Sequence, residues 1–127
     1  PAYCTGVGKA MLAYLPEAEV APVLQQQSWH AFTAKTITTA EAMRRELAQI
    51  RARGHAFDDE EHEPGIICIA VPILTRSGRV MGAVSVTSTT ARTDLEGLTR
   101  HLPVLRAAVS AIAGEAQDWR FPDQAAE

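Results

Sequence analysis

Two largely apolar runs, residues 66–74 and 79–86, occupy the middle of the chain, and within each the side chains alternate in kind. Alternation with period two marks β-strands. The intervening Thr75-Arg76-Ser77-Gly78 carries hairpin-turn residues. With Arg76 and Ser77 as a two-residue loop, Thr75 faces Gly78 and the register follows. Ile69 then opposes Val84, Ile67 opposes Val86 and Val71 opposes Gly82, which makes an apolar face suited to covering helices. The other face pairs Cys68 with Ser85, Ile66 with Thr87 and Ala70 with Ala83. That second face is small and bears a thiol and hydroxyls, the lining of a pocket rather than of a core.

Helical spacing organises the rest. Residues 8–15 form a short helix with Thr5 as its cap and Pro16 as its end. Residues 17–26 make a second, with Pro16 at its first position and Pro22 as an internal blemish. Residues 29–36 read as a loop. Thr38-x-x-Glu41 is a capping box for a third helix, in which Met43, Leu47 and Ile50 share a face. Gly54 stops that helix just after Arg51 and Arg53, whose charges suit its negative end. A short strand at 55–58 and an acidic loop lead into the hairpin. Thr93-x-x-Glu96 is a second box, and Leu95, Leu98, Leu102, Leu105, Val109 and Ile112 then form one apolar stripe. Pro103 should kink that stripe or split it in two, and the polar tail after Trp119 should fray. The pattern predicts a two-layer α+β domain, with helices on one side of a thin sheet that any upstream strands would join.

Composition narrows the function without naming it. The 127 residues are 46% hydrophobic and 21% charged, enough for one domain with a proper core. A net charge of −3 argues against gripping a phosphate backbone, and no apolar run is long enough for a membrane span. The first residues have neither the basic nor the apolar region of a signal peptide. Two cysteines without a dense framework fit a reducing cytoplasm, and a disulfide between Cys4 and Cys68 is left open. The abrupt start on Thr5-Gly6-Val7-Gly8 suggests a piece of a longer protein.

Candidate chemistry gathers at a few positions. Amides at Gly6 and Val7, where the chain turns into a helix, point at whatever lies before it, so a carboxylate fits there. Glycines at 6 and 8 would let a ligand approach the backbone. This is not a nucleotide loop, because Gly-x-Gly-Lys lacks the spacing. Residues 58–63 put five acids and a histidine together, for most of which a solvated loop is the better reading. Asp58 differs, since it ends a strand and can point inward. No cysteine or histidine spacing calls for a metal or a cofactor. Cys68 has no histidine placed near it in this register, and Ser85 lacks a nucleophile elbow, so no catalytic residue is assigned.

Taken in order, these pieces resemble one family. Thr5-Gly6-Val7-Gly8-Lys9-Ala10-Met11-Leu12-Ala13 is similar to its G-x-G-K-A-x-L-A signature, and Thr33-x-x-Thr36-Ile37-Thr38 to its T-x-x-T-I-T. Residues 53–61 followed by Pro64-Gly65-x-x-Cys68-Ile69-Ala70-x-Pro72 resemble its R-G-[YF]-A-x-D-x-E-E…P-G-x-x-C-I-A-x-P block, and Gly78-x-Val80-x-x-Ala83-x-Ser85-Val86 continues it. The match spans most of residues 4–115, and the chain resembles the effector-sensing domain of an IclR-family transcriptional regulator. The resemblance implies a GAF/profilin-like fold, an antiparallel sheet packed with helices, whose first helix and strands lie upstream. It also implies an N-terminal winged helix-turn-helix outside this chain, assembly as a homodimer or homotetramer, and a small organic acid or aromatic effector. DNA would be contacted only through that other domain. Carried over by motif, the effector positions are Gly6, Val7, Asp58, Cys68, Ser85 and Thr87, with the helix start across a cavity from the last three. Val7 stands where alanine is common in the family and Thr87 where serine is. Two other readings compete: a thiol enzyme using Cys68, and a pure oligomerisation module.

Overall fold

The computed structural model describes residues 1–116. A 3₁₀ turn at Ala2–Cys4 leads into α1 (Gly6–Ala13), α2 (Glu17–Gln26) and α3 (Ala40–Arg53). The strands β1 (Ala56–Asp59), β2 (Ile66–Leu74) and β3 (Val80–Thr89) follow, then α4 (Leu95–Thr99) and α5 (Leu102–Ala116). Among the described residues the sheet is antiparallel with the order β1-β2-β3. The expected fraying after Trp119 lies outside them.

Caps set the helix starts, twice one residue later than the sequence pattern suggests. Thr5 caps α1 as expected, accepting from the Gly8 amide at 3.1 Å. α3 is capped by Thr39, which accepts from Ala42, and α4 by Asp94, which accepts from Gly97 at 2.8 Å. At both places a second acceptor directly follows the threonine of the box, Thr39 after Thr38 and Asp94 after Thr93, and it closes the turn. Gly54 ends α3 in the left-handed conformation, as expected. Pro22 sits within α2 on its exposed side, where the carbonyl deprived of a donor meets water. Pro103 falls in the first turn of α5, the position a helix tolerates, and the apolar stripe is divided between α4 and α5.

The hairpin register differs from the two-residue-loop expectation by two positions. Cys68 opposes Thr87, Ala70 opposes Ser85 and Ile69 opposes Val86. Gly78 adopts φ 86° and the Gly78 amide donates to Thr75, while the Thr75 amide donates to Arg79. The loop is therefore three residues, Arg76 to Gly78, which shifts the pairing by one. An irregularity at Ile73/Leu74 shifts it by one more. Two shifts of one restore the parity, so Cys68, Ser85 and Thr87 still share a face.

Both faces of the sheet are covered, which corrects the two-layer expectation. Ile67, Ile69 and Val71 pack with Phe57, Val84 and Val86 under Leu98 and Leu105 of α4 and α5. On the other face Ala56 and Ala70 join Ala10, Leu12, Met43, Leu47 and Ile50 of α1 and α3. Alanines there let α1 lie close to the strands. Two glycines do the same. A Cβ on Gly6 would stand 2.9 Å from the Cys68 sulfur, and one on Gly8 only 2.5 Å from the Ala2 backbone. These glycines therefore permit close contacts within the fold.

Lys9 follows directly and is wholly buried. Its ammonium lies 2.8 Å from Glu46 Oε2 of α3 and 2.8 Å from Glu61 Oε1 of the β1–β2 loop. It also donates to Glu61 Oε2 at 3.0 Å, whereas Oε1 is in ionic contact without a well-aligned hydrogen bond. Glu61 is 5% exposed, so the acidic run is not a uniformly solvated loop. Removing one partner of a buried ion cluster strands the remaining charge. Lys9→Met is accordingly expected to cost about 3–5 kcal/mol of folding stability, and Glu61→Gln distinctly less, in urea unfolding monitored by circular dichroism.

Candidate functional site

Period-two alternation in β1, β2 and β3 brings the chemistry of the sequence onto one face. Asp58 pairs with Cys68 across β1 and β2, and Cys68 with Thr87 across β2 and β3. Ser85 lies one step along the same face. Gly6 sits on top of this group, packed directly against Cys68 and Ala70. The helix start is thus in contact with Cys68 rather than across a cavity from it. The open side of the site lies beyond Cys68, over Ser85 and Thr87, both exposed on β3. β3 is an outer strand among the described residues.

Thr5 takes the Gly8 amide and the Thr5 carbonyl takes that of Lys9, which leaves the amides of Gly6 and Val7 without an acceptor among the described residues. These are the first two of α1 and carry the positive end of its dipole. Val7 itself is half-buried against the core, so it contributes its amide more than its side chain. Two amides without an acceptor among the described residues, two exposed hydroxyls and a buried thiol thus lie on the same side of the sheet.

Burial pushes the Cys68 thiol up from its ordinary pKa, and the nearby hydroxyls of Thr87 and Ser85 offset this only in part. The thiol stays protonated and is a poor nucleophile. Cys4 and Cys68 are both free thiols, and burial raises Cys4 as well. Among the described residues no group of three histidine, cysteine or acidic side chains is placed to hold a metal ion. His62 is exposed and stacks its ring near Phe32 at 4.8 Å, so it belongs to an aromatic cluster rather than to the acids beside it.

Asp58 is 6% exposed, and its Oδ1 accepts from the Glu61 amide at 2.9 Å. The side chain thus ties down the loop that it begins. The hydroxyls of Thr33 and Thr36 donate to the carbonyls of Glu60 and Glu61 at 2.6 and 2.5 Å, and Glu60 Oε1 accepts from Gly65. Sequence reasoning placed the threonines only in a motif. Their partners lie 27 and 25 residues away, and no local pattern reports that.

Burial raises the pKa of Asp58 above 3.8, against the opposing pull of the Glu61 amide and the Lys9 charge. The folded state thus binds this proton more readily than the unfolded chain. The contribution favours folding fully below the ordinary aspartate range and is lost as pH rises through the raised value. Asp58→Asn should therefore be least costly near neutral pH and relatively more costly near about pH 4, by the linkage of proton binding to folding. Urea titrations of both proteins at the two pH values check this. A pH-independent difference would mean that Asp58 titrates alike in both states.

With this geometry in hand, the chain can be set beside known proteins. A family profile described as bacterial transcriptional regulator IclR C-terminal matches residues 1–114. The chain is similar to the HTH-type transcriptional regulator KdgR of Escherichia coli K12, with 36% identity over 122 residues, covering 96% of this chain and 46% of that protein. It is also 39% identical over 94 residues to XynR of the same strain, covering 74% of this chain and 37% of XynR. The chain thus spans less than half the length of these relatives. Among solved structures, the C-terminal domain of E. coli KdgR has a TM-score of 0.83 at 36% identity, covering 90% of this chain and 70% of that one. A double mutant of the PobR inducer-binding domain from Acinetobacter, in complex with 3-hydroxy benzoic acid, has a TM-score of 0.83 at 30% identity, with coverages of 89% and 67%. These relatives are named as regulators of transcription.

Proposed function

Because this chain belongs to the IclR C-terminal family of bacterial transcriptional regulators, we propose that residues 1–127 are the effector-binding region of such a regulator. The ligand is a small organic acid, carboxylic, keto or aromatic, and its binding modulates operator binding by the full-length protein. The observation that carries this reading is the meeting of the free Gly6 and Val7 amides with Cys68, Ser85 and Thr87 at one open face. The effector's carboxylate lies against the two amides and the strand hydroxyls, and Asp58 behind them selects against a second negative charge. The PobR relative bound to an aromatic acid supports the ligand class.

DNA is contacted through an N-terminal winged helix-turn-helix, and the regulator works as a homodimer or homotetramer in the cytoplasm. Among the described residues no helix is long and apolar enough to cross a membrane. The net charge of −3 argues against DNA contact by this region. A gel shift with residues 1–127 alone should show no retention of operator DNA at physiological salt. Retention that survives competitor DNA would place a DNA surface here.

Ligand affinity gives the sharper test. Ser85→Ala removes a hydrogen bond to a charged group, so effector binding should weaken by roughly 1.5–3 kcal/mol, about tenfold or more. Exposed Ser85 should leave the melting temperature nearly unchanged. Calorimetry with the full-length protein, after a thermal-shift screen of organic acids has found an effector, reads both quantities. Undiminished affinity in Ser85→Ala and in Thr87→Val would move the site elsewhere.

A further inference from the structure

Beside β1, on the edge of the sheet away from β3, a cleft of about 480 Å³ opens between α3 and α4. That is within the range of small-molecule sites. β1 divides its side chains between the two places: Asp58 turns toward the effector face, while Phe57 and Asp59 line this cleft. Ile37, Phe57 and Leu95 supply apolar wall, and Arg53, Glu46 and Asp59 supply charge.

The charges in and around the cleft are not mutually satisfied. The Lys9 ammonium is shared by two carboxylates, Glu46 and Glu61, and the Lys35 ammonium by two more, Asp59 and Glu60. Each group is left with one surplus negative charge. Arg53 shows the opposite imbalance. Its guanidinium donates through Nε to the His55 carbonyl and lies 5.1 Å from the Phe57 ring centroid, with no carboxylate bridged to it among the described residues. A cleft that holds an unmatched guanidinium, surplus carboxylates and an apolar wall suits a molecule with both signs of charge and an apolar body.

We propose that this cleft binds an apolar or aromatic amino acid as its zwitterion. The carboxylate lies on Arg53, the ammonium faces Asp59 and Glu46, and the side chain rests on Phe57, Ile37 and Leu95. This site is separate from the effector face and does not depend on the function assigned there. The β1–β2 loop borders both, since Glu61 lines the cleft while its amide donates to Asp58.

Isothermal calorimetry with L-phenylalanine, 3-phenylpropionate and phenethylamine as probes tests the proposal on the full-length protein. L-phenylalanine should bind, and each singly charged analogue should bind about tenfold more weakly or worse, having lost one charge-assisted contact. Arg53→Gln should weaken L-phenylalanine about tenfold, and the exposed Asp59→Asn should weaken it while sparing 3-phenylpropionate. Ser85→Ala should leave it unchanged. Equal affinity for the three probes, no heat with L-phenylalanine, or unchanged binding in both cleft variants would overturn the assignment. Loss of binding in Ser85→Ala would do so as well, by placing the probe on the effector face.

Discussion

One buried ammonium holds three otherwise separate segments in register. Lys9 projects from α1 into contact with Glu46 of α3 and Glu61 of the β1–β2 loop, partners 37 and 52 residues away. Each of those segments carries part of the site or of its support. Such clusters contribute little net stability compared with apolar packing of the same volume, because taking charges out of water is costly. What they impose is geometry, since a misplaced helix would leave an unpaired charge in the interior. Burial raises the pKa of Glu61 even with Lys9 against it, which is the signature of that desolvation.

Around this cluster the recurring residues of the sequence acquire mechanical rather than chemical roles. Gly8 lets α1 cross the Ala2 backbone, and Gly6 lets it settle on Cys68. Thr33 and Thr36 hold the carbonyls of the acidic loop, Glu60 caps Gly65, and Asp58 caps Glu61. On the proposed effector face the chemistry left over for a ligand is small: two amides, two hydroxyls and a thiol. A rigid first helical turn is a good place for it, because amides fixed by packing lose no further freedom when an anion binds.

Much of this was readable in the chain, and the rest fails for identifiable reasons. Periodicity located the helices, the strands and an interruption of the last apolar stripe, which falls at residues 100–101 just before Pro103, because these depend on neighbours within a few residues. The shared face of Cys68, Ser85 and Thr87 emerged because parity survives a shift of two. The actual partner of Cys68 did not, since it depends on a three-residue loop and a further irregularity that the turn residues alone do not specify. Covering of both sheet faces was missed because the alanine-lined face reads as too small for a core. It becomes one only when α1 and α3 supply Leu12, Met43 and Leu47.

The acidic run shows most clearly where local reading stops. Six consecutive polar residues, five of them acids, look like solvent-facing sequence, and His62 and Glu63 are indeed exposed. Yet Glu61 is buried, Asp58 is buried, and Glu60 spends its oxygens on Gly65 and Lys35. Charge density along a sequence cannot distinguish an acid facing water from one facing a lysine that folding delivers from elsewhere. The one local clue was Lys9 itself, a cation set among small and apolar residues in the first helix. A lysine has to be paired to be buried there, and the acidic loop is what meets it. The motif at the start of the chain and the acidic block at its middle are therefore two halves of a single interaction.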